Sequence, residues 1–276
     1  MMESTPNSSH NGDAIIRVEN LVETFDSLKV LKDLSFSIQR AKTTVILGGS
    51  GCGKSTLLKI LVGYLKPTSG RVFYGDMDIV PLDEDALDPI RKRFGILFQN
   101  GALLNSMTVG ENVALPLVEH TNLDPKIIEM MVKMKMELVG LRGFENLRPS
   151  QISGGMRKRV GLARAIALDP EIVFYDEPSA GLDPVTSAVI DQLMMDLSHK
   201  LKISSVVVTH DMGSAFKIAD HIIMLHQGTI LVEGTPETIK YCDNEIVQQF
   251  IHGRPDGPIP MSRTAKDYIK DLLGEE

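Results

Sequence analysis

The apolar positions along the chain follow two different periods, which divide it into strand-like and helix-like segments. Between residues 15 and 38, short apolar bursts alternate with polar residues, a pattern typical of short antiparallel strands. Three later segments, residues 43–47, 172–175 and 205–208, are continuous apolar runs of the kind that is buried in a parallel sheet. Helix-like segments separate these runs. This order of elements predicts a parallel α/β core.

A second pattern covers about residues 100–155, which are predicted to form a helical insert in the α/β core. Thr108 with Glu111 three residues later matches a capping box. Asp124 followed by Pro125 is typical of a helix start. The insert also contains four methionines, for which a place in the core and an adaptable docking face both remain open: Met130, Met131, Met134 and Met136.

The two ends of the chain differ in composition from the middle. Residues 1–13 are polar, lack the features of a signal peptide, and are expected to be a disordered leader. The nucleotide-binding domain is expected to span residues 14–252, with residues 253–276 as a C-terminal extension. A short amphipathic segment around Tyr268 is predicted to dock on a neighbouring copy of the chain, with a frayed tail as the alternative.

Composition narrows the class of protein. Of the 276 residues, 43% are hydrophobic and 24% charged, which is ordinary globular composition and argues against a wholly disordered chain. Lys and Arg total 29 and Asp and Glu total 36, and the resulting net charge of −7 argues against nucleic acid as the main partner. Cys52 and Cys242 are too few for a disulfide framework. No run of 18 apolar residues is present, so a membrane role is expected to come through a partner.

The segment after the first apolar run matches the pattern G-x-x-x-x-G-K-[ST] and opens a predicted helix. It reads Gly48-Gly49-Ser50-Gly51-Cys52-Gly53-Lys54-Ser55. Glycines let backbone N–H groups close around phosphate oxygens, and a helix N-terminus adds partial positive charge. Lys54 supplies a full charge for the β- and γ-phosphates, and Ser55 offers a hydroxyl to Mg²⁺. These residues, with Thr56, are predicted to bind a nucleotide; the alternative is a glycine-rich turn.

Two acids, Asp176 and Glu177, end the second apolar run. Carboxylates at the carboxyl edge of a parallel sheet lie where ligands bind. Asp176 can hold Mg²⁺ through its water shell, and Glu177 can orient the attacking water or accept its proton. A polar strand exit is the alternative, and the phosphate-binding pattern nearby favours the functional interpretation.

Ser153-Gly154-Gly155 precedes another predicted helix and exposes free N–H groups at its start, which makes a second anion site. An ordinary capped helix is the alternative. Two phosphate-binding helix starts with one lysine-bearing loop are odd in a single chain. The arrangement makes sense if the second start serves the nucleotide of another copy.

A few single residues are further candidates. Gln99 and His210 follow the ends of apolar strands, near the expected γ-phosphate, although such residues are often structural. Phe25 can stack on a purine base or belong to the core. The basic clusters at residues 91–93 and 157–159 are expected to be solvated surface.

Taken in this order, the motifs resemble those of the ATP-binding subunits of ABC transporters, over about residues 15–240. The matches include residues 152–156 and the motif at residues 180–183. In that family two subunits sandwich two ATP molecules, each between one chain's phosphate loop and the other's Ser-Gly-Gly helix. The resemblance implies an α/β fold with a P-loop (RecA-like) nucleotide-binding core, an antiparallel β subdomain and an inserted helical subdomain. It places Phe25 on adenine and Asp183 at the seam of the homodimer.

The same resemblance implies ATP and Mg²⁺ as ligands and assigns the catalytic roles. Glu177, His210 and Gln99 would be catalytic, with His210 contacting the γ-phosphate. Mg²⁺ would be held by Ser55, Gln99 and Asp176, and Gln99 would also connect the site to the helical insert. Where this chain departs from the usual motif residues of the family, the departures remove none of these charges.

A narrower similarity points to the ATPases of Mla-type phospholipid transporters. It rests on residues 99–103, 111–121 and 256–260, and on Met156 at the end of the Ser-Gly-Gly motif, where the wider family usually has Gln. Such systems imply an integral membrane permease, an MCE-domain lipid-binding protein, a small STAS-domain protein and a place at the cytoplasmic face of the inner membrane. The alternatives are an amino-acid or ion importer ATPase, a soluble non-transport ABC ATPase, or a nucleotide-binding regulator.

Overall fold

The structure of the protein is a computed structural model that describes residues 13–259. The strands in this part of the chain are β1 Ala14–Phe25, β2 Leu28–Gln39, β3 Thr43–Gly48, β4 Ser69–Tyr74, β5 Met77–Asp78, β6 Phe94–Leu97, β7 Ile172–Asp176, β8 Ser204–Thr209, β9 His221–His226 and β10 Thr229–Gly234. The α-helices are α1 Lys54–Leu61, α2 Glu84–Arg91, α3 Val109–His120, α4 Pro125–Leu138, α5 Gly154–Ala165, α6 Pro184–Leu201, α7 Met212–Ile218, α8 Pro236–Lys240 and α9 Glu245–His252. A 3₁₀ helix lies at Pro149–Gln151.

The first sheet is antiparallel, with strand order β2-β1-β4-β5. Strands β1 and β2 are twelve residues each, longer than the short strands that the sequence pattern predicts. Register shifts between Val18 and Leu21 and at three other places interrupt their pairing. Such bulges break the strict alternation of apolar and polar residues without ending the strand. The alternation of apolar and polar residues therefore predicted the antiparallel pairing correctly, but it predicted strands that are too short.

The second sheet has the order β10-β9-β3-β8-β7-β6, and it is parallel except for β10, which pairs antiparallel with β9. All six residues of β3 and of β8 are buried, as expected for central strands. The predicted parallel core is confirmed. Leu47 pairs with Thr209 and Asp176 with Val208, so the residues that follow β3, β7 and β8 meet at one edge.

Successive residues of the central strands enter two different hydrophobic clusters. In β3, Val45 and Leu47 join a cluster with residues of α3, α4, α5 and α6, whereas Ile46 joins a cluster with residues of β1, β2, α1 and α2. In β7, Tyr175 joins the first cluster and Phe174 the second. Because side chains alternate across a strand, the parallel sheet separates these two cores. Packing on both faces of the parallel sheet therefore holds the sheet edge that carries the candidate site.

The segment between β6 and β7 is helical, and α3, α4 and α5 pack on one another there. The capping box of Thr108 and Glu111 is confirmed at the start of α3, and Asp124 caps α4 with Pro125 as its first residue. The four methionines are divided between the two alternatives. Met136 is buried and Met131 half-buried, whereas Met130 and Met134 are exposed.

The C-terminal extension is described only as far as Ile259. Its first residues fold back on α9, where the Gln249 amide nitrogen donates to the carbonyl oxygen of Ile259 at 3.0 Å and its oxygen accepts from the Ile259 N–H at 2.7 Å. The predicted leader, except Asp13, and the predicted docking segment around Tyr268 lie outside the described residues. Among the helices of residues 13–259, none combines the length and the apolar character needed to span a membrane.

Candidate active site

The loop between β3 and α1 has the conformation that a phosphate cradle needs. Gly51 and Gly53 have φ angles of +76° and +106°, in the left-handed region that favours glycine. A Cβ atom on Gly53 would lie 2.5 Å from Cδ2 of Leu31 in β2, so this position has no space for a side chain. Gly53 is also the N-cap of α1 and offers no side-chain cap, so the first N–H groups of the helix keep their hydrogen-bonding capacity.

Lys54 is buried against this loop. Its Nζ donates to the carbonyl oxygens of Gly48 at 2.7 Å and Gly49 at 3.0 Å. An ammonium group has three N–H donors, so one of them remains for a phosphate oxygen. The lysine therefore orders the loop and carries its charge.

Ser55 and Asp176 line the same cavity, which has a volume of about 580 Å³. Burial raises the pKa of the Asp176 carboxyl, and the neighbouring Glu177 raises it further. Lys158, Lys59 and Lys54 oppose this effect, with Lys158 the strongest of the three. A hydroxyl and a half-buried carboxylate beside a phosphate loop are a donor set that Mg²⁺ accepts, so these residues fit the expected metal-bound nucleotide.

Glu177 forms a contact with His210 that the sequence did not predict. Nδ1 of His210 lies 2.9 Å from both carboxylate oxygens of Glu177, and the Thr209 hydroxyl donates to one of them at 3.4 Å. The Glu177 side chain is 15% exposed, whereas that of His210 is 64% exposed. The carboxylate is thus held on one side and open on the other, as a proton acceptor for water must be.

Gln99 and Phe25 lie at the two ends of this region. Gln99 is exposed, two residues beyond the end of β6, and β6 pairs in parallel with β7, so it lies at the same sheet edge as Glu177. Phe25 ends β1, is 46% exposed, and pairs with Leu28 across the hairpin turn. Leu31 in the same hairpin contacts Gly53, which brings this hairpin beside the phosphate loop.

The second predicted helix start is capped as expected. Oγ of Ser153 accepts from the N–H of Met156 at 3.2 Å, at the start of α5. A Cβ atom on Gly155 would lie 2.4 Å from Cγ2 of Thr186 in α6. Asp183 is the N-cap of α6 and accepts from the Thr186 hydroxyl, so Thr186 links Asp183 to the start of α5.

The two predicted anion sites are held by different elements. Helix α1 packs on β3, β7 and β8, whereas α5 packs on β6, α3, α4 and α6. Each helix start therefore has its own support, and the start of α5 lies beside the loop that contains Asp183.

The burial of one residue near the site contradicts the prediction from the sequence. Residues 157–159 were expected to be solvated, but Lys158 is only 5% exposed, and its Nζ donates to the carbonyl oxygen of Glu177 at 3.1 Å. Burial lowers the pKa of Lys158, and Asp176 and Glu177 oppose that shift. The helical period carried this signal, because Gly155, Lys158 and Leu162 fall on one face of α5 and all three are buried.

A glycine loop after a central strand, a buried lysine and two acids on a nearby strand define a P-loop nucleotide-binding protein. The family model described as ABC transporter matches residues 31–180. The chain belongs to the ABC transporter family, and it is an ATP-binding subunit that hydrolyses ATP.

Individual relatives extend this similarity over most of the chain. The intermembrane phospholipid transport system ATP-binding protein MlaF of Haemophilus influenzae is 41% identical over 259 residues, which is 94% of this chain and 98% of that protein. The probable ribonucleotide transport ATP-binding protein mkl of Mycobacterium leprae is 42% identical over 247 residues, or 90% and 71% of the two chains. A dimeric ATP-binding cassette, MJ0796, in a post-hydrolysis state with ADP and phosphate has a TM-score of 0.74 and 32% identity, covering 80% of this chain and 98% of that one.

Proposed function

We propose that two copies of this chain sandwich two ATP molecules and drive an integral membrane permease that transports phospholipid for outer-membrane lipid asymmetry. The observation that carries the two-copy arrangement is the charge at the helix starts. Seven of the nine α-helices within residues 13–259 have a carboxylate at the N-cap or in the first turn. The other two are α1 and α5, the helices whose starts are predicted to meet phosphate.

The physical reason lies in the helix dipole. A carboxylate at a helix N-terminus normally stabilises the helix by about 0.3–1 kcal/mol, so its presence at the other seven starts is expected. A triphosphate bound at the same place would be repelled by that carboxylate. The absence of one at α5 therefore supports an anion at residues 153–155, and α5 has no lysine-bearing loop of its own. In the two-copy arrangement, the loop is supplied by the other chain, and the structurally similar cassette MJ0796 is dimeric.

The proposed roles within one site follow from the contacts above. The loop of residues 48–53, with Lys54 and Thr56, binds the phosphates. Mg²⁺, which would neutralise charge on the β- and γ-phosphates, fits Ser55 and Asp176, with Gln99 as a further ligand. Phe25 stacks on adenine.

The proposed hydrolysis uses the carboxylate of Glu177. His210 and Thr209 fix its orientation, and its open side accepts a proton from the attacking water. Hydrolysis and phosphate release remove charge-assisted contacts that neither chain completes alone, so the dimer reopens. Asp183, beside the start of α5, lies at the seam of this dimer.

A groove beside the Gln99 loop is the proposed docking site for the permease. It has a volume of about 530 Å³ and is lined by residues of α2, β6 and α3, including Leu115 and Pro116. Phe98 and Leu104, which also line it, are 48% and 43% exposed. Because Gln99 follows Phe98 directly, a permease loop in this groove would respond to the state of the nucleotide. In this proposal, the ATPase lies at the cytoplasmic face of the inner membrane and is peripheral through the permease.

Phospholipid as the cargo is supported by the relative from Haemophilus influenzae, which this chain matches over nearly its whole length. An MCE-domain lipid-binding protein and a small STAS-domain protein belong to the same proposal. The mycobacterial relative carries the name of a probable ribonucleotide transporter, so the cargo needs a direct test. Small-solute import and a soluble, non-transport role are the further alternatives.

The first experiment tests the site in the complete complex. Glu177→Gln is expected to keep ATP binding, to lower ATP turnover by about a hundredfold or more, and to trap a closed ATP-loaded dimer, because only the proton acceptor is lost. Light scattering with ATP detects the dimer, and a phosphate-release assay gives turnover. Glu129→Gln, an exposed residue of α4 paired with Lys133, is the matched control. Normal turnover of Glu177→Gln would remove Glu177 from this role.

The second experiment tests the cargo. The chain is purified with the membrane proteins that co-elute, and bound molecules are identified by mass spectrometry. Phospholipid in the complex, with ATP-dependent transfer to vesicles, is expected. A complex that binds ribonucleotides or amino acids instead, or a chain with full ATPase activity and no membrane partner, would contradict the proposal.

A further inference from the structure

Lys158 is a buried lysine at the junction of α5 and the end of β7. It is 5% exposed, and its ammonium donates to the main-chain carbonyl oxygen of Glu177 at 3.1 Å. An ammonium group is costly to bury and is normally left in water unless it has a partner. Its partner here is a backbone atom of the residue proposed to accept the proton.

The backbone of Glu177 is in a conformation that needs external support. Its φ angle is +47°, in the left-handed region that a residue with a long side chain rarely adopts. Its N–H donates to Val208 of β8 at 2.9 Å, and its carbonyl oxygen accepts from Lys158 and, at 3.2 Å, from the N–H of Ala180. The lysine therefore supports both the residue and the turn that leads to Asp183.

We infer that Lys158 is a positioning residue that holds Glu177 in the orientation required for hydrolysis of the ATP bound to its own chain. The inference rests on the proposed role of Glu177. Lys158 acts through the backbone: the hydrogen bond fixes the peptide that follows the Glu177 Cα, and thereby the direction in which the carboxylate meets His210. Its helix, α5, is also the one whose start is proposed to cap the partner copy's nucleotide.

The hydrogen bonds at the carbonyl oxygen of Glu177 support the same assignment, because Lys158 supplies one of the two that this atom accepts, and the N–H of Ala180 supplies the other. Lys158→Met would fill a similar volume but leave this oxygen with one donor fewer.

The first test compares two buried lysines in the assembled transporter. Lys158→Met is expected to lower kcat for ATP by about tenfold to a hundredfold, the loss typical of a slightly misplaced catalytic group, and to change the Kd for ATP by less than about twofold. Lys158→Arg, which keeps the charge and donors, is expected to recover part of kcat. Lys135→Met is the control, because Lys135 is 6% exposed and pairs with Asp169, at the opposite end of β7.

A second test separates positioning from a general loss of stability. Mixed complexes are purified with two different affinity tags, so that each contains one Lys158→Met and one Glu177→Gln substitution. In one complex both changes lie in the same chain, and in the other they lie in different chains. The composition is identical, so a stability effect is shared by both.

The positions of the two substitutions then decide the outcome. With both changes in one chain, the intact site keeps its own Lys158, and activity should equal that of a complex with Glu177→Gln alone in one chain. With the changes in different chains, activity should fall by a further tenfold or so. Equal activity in the two complexes, or unchanged kcat in the homodimeric Lys158→Met complex, would overturn the inference. Failure of the proposed function shows separately, as normal turnover of the Glu177→Gln protein.

Discussion

The starts of α1 and α5 both lack an acidic residue, but they differ in the groups that they offer to a phosphate. Neither has a carboxylate at the cap or in the first turn. Helix α1 begins after Gly53, in a left-handed conformation without a side-chain cap, and its first residue is the buried Lys54. Helix α5 begins with Ser153, whose hydroxyl already accepts from Met156.

The difference indicates that the two helix starts contact one triphosphate in different ways. The start of α1 combines free N–H groups with a full positive charge, so it can bind phosphate by itself. The start of α5 offers N–H groups and about half a charge from the dipole, which is a weak site alone. A weak site is useful for a reversible contact: it adds binding energy only when the nucleotide is already held by the other chain.

The largest effect is expected at α1. Lys54→Ala removes the charge and two hydrogen bonds that order the loop, so the affinity for ATP should fall by about a hundredfold, the value of one or two charge-assisted hydrogen bonds. Titration with a fluorescent ATP analogue measures this. Lys66→Ala, at an exposed lysine after α1, should leave the affinity unchanged. Equal affinities for the two variants would show that the loop does not bind the triphosphate.

The next effect should appear at α5. Ser153→Asp keeps a good N-cap, so the free energy of unfolding should hardly change. The added charge would repel the partner's nucleotide, and ATPase activity of the complex should fall by at least about tenfold. Ser153→Asn, which introduces an uncharged cap of the same size as Asp, should retain most activity. Thr235→Asp, at the N-cap of α8, should have no effect on activity. Full activity of Ser153→Asp would show that the start of α5 does not face phosphate.

A smaller, structural effect is expected at the contact of α5 with α6. A Cβ on Gly155 would lie 2.4 Å from the Thr186 methyl carbon, so Gly155→Ala should lower the free energy of unfolding by about 1–3 kcal/mol. Thr186→Ser removes that methyl group but keeps the hydroxyl bound to Asp183, and it should restore about half of the loss in the double variant. Urea unfolding measures both. Gly154→Ala is the matched control, since its Cβ would meet only atoms at 3.8 Å or more. A loss at Gly154 equal to that at Gly155 would rule out the Thr186 contact as the cause.

Much of this arrangement could be predicted from the sequence, because it depends on local patterns. The phosphate loop, the caps at Ser153 and Asp124 and the parallel strands each follow from a few consecutive residues. Once the strands are parallel, the residues after them share one edge, which places Glu177 and His210 on the same side without any further information.

The missed features depend on contacts between distant segments. A basic residue is usually solvated, so Lys158 was predicted to be exposed. The helical period of α5 places it on a buried face, but its hydrogen bond to the carbonyl oxygen of Glu177 joins segments that are distant in the sequence. The contact of His210 with Glu177 likewise joins residues that are 33 positions apart, and the sequence does not reveal the left-handed φ angle at Glu177. The bulges of β1 and β2 were missed because an irregular alternation looks like a strand end.

The smallest expected effect concerns a helix start with no phosphate role. Thr108 caps α3 and accepts from the N–H of Glu111, whose carboxylate in turn accepts from the N–H of Thr108. Thr108→Ala should therefore lower the free energy of unfolding by about 1 kcal/mol and leave the affinity for ATP unchanged. Urea unfolding and nucleotide titration on the same sample check both parts. A weaker affinity for ATP with unchanged stability would show that a carboxylate-bearing start also senses the nucleotide, and the distinction between α1 and α5 and the other seven helices would lose its meaning.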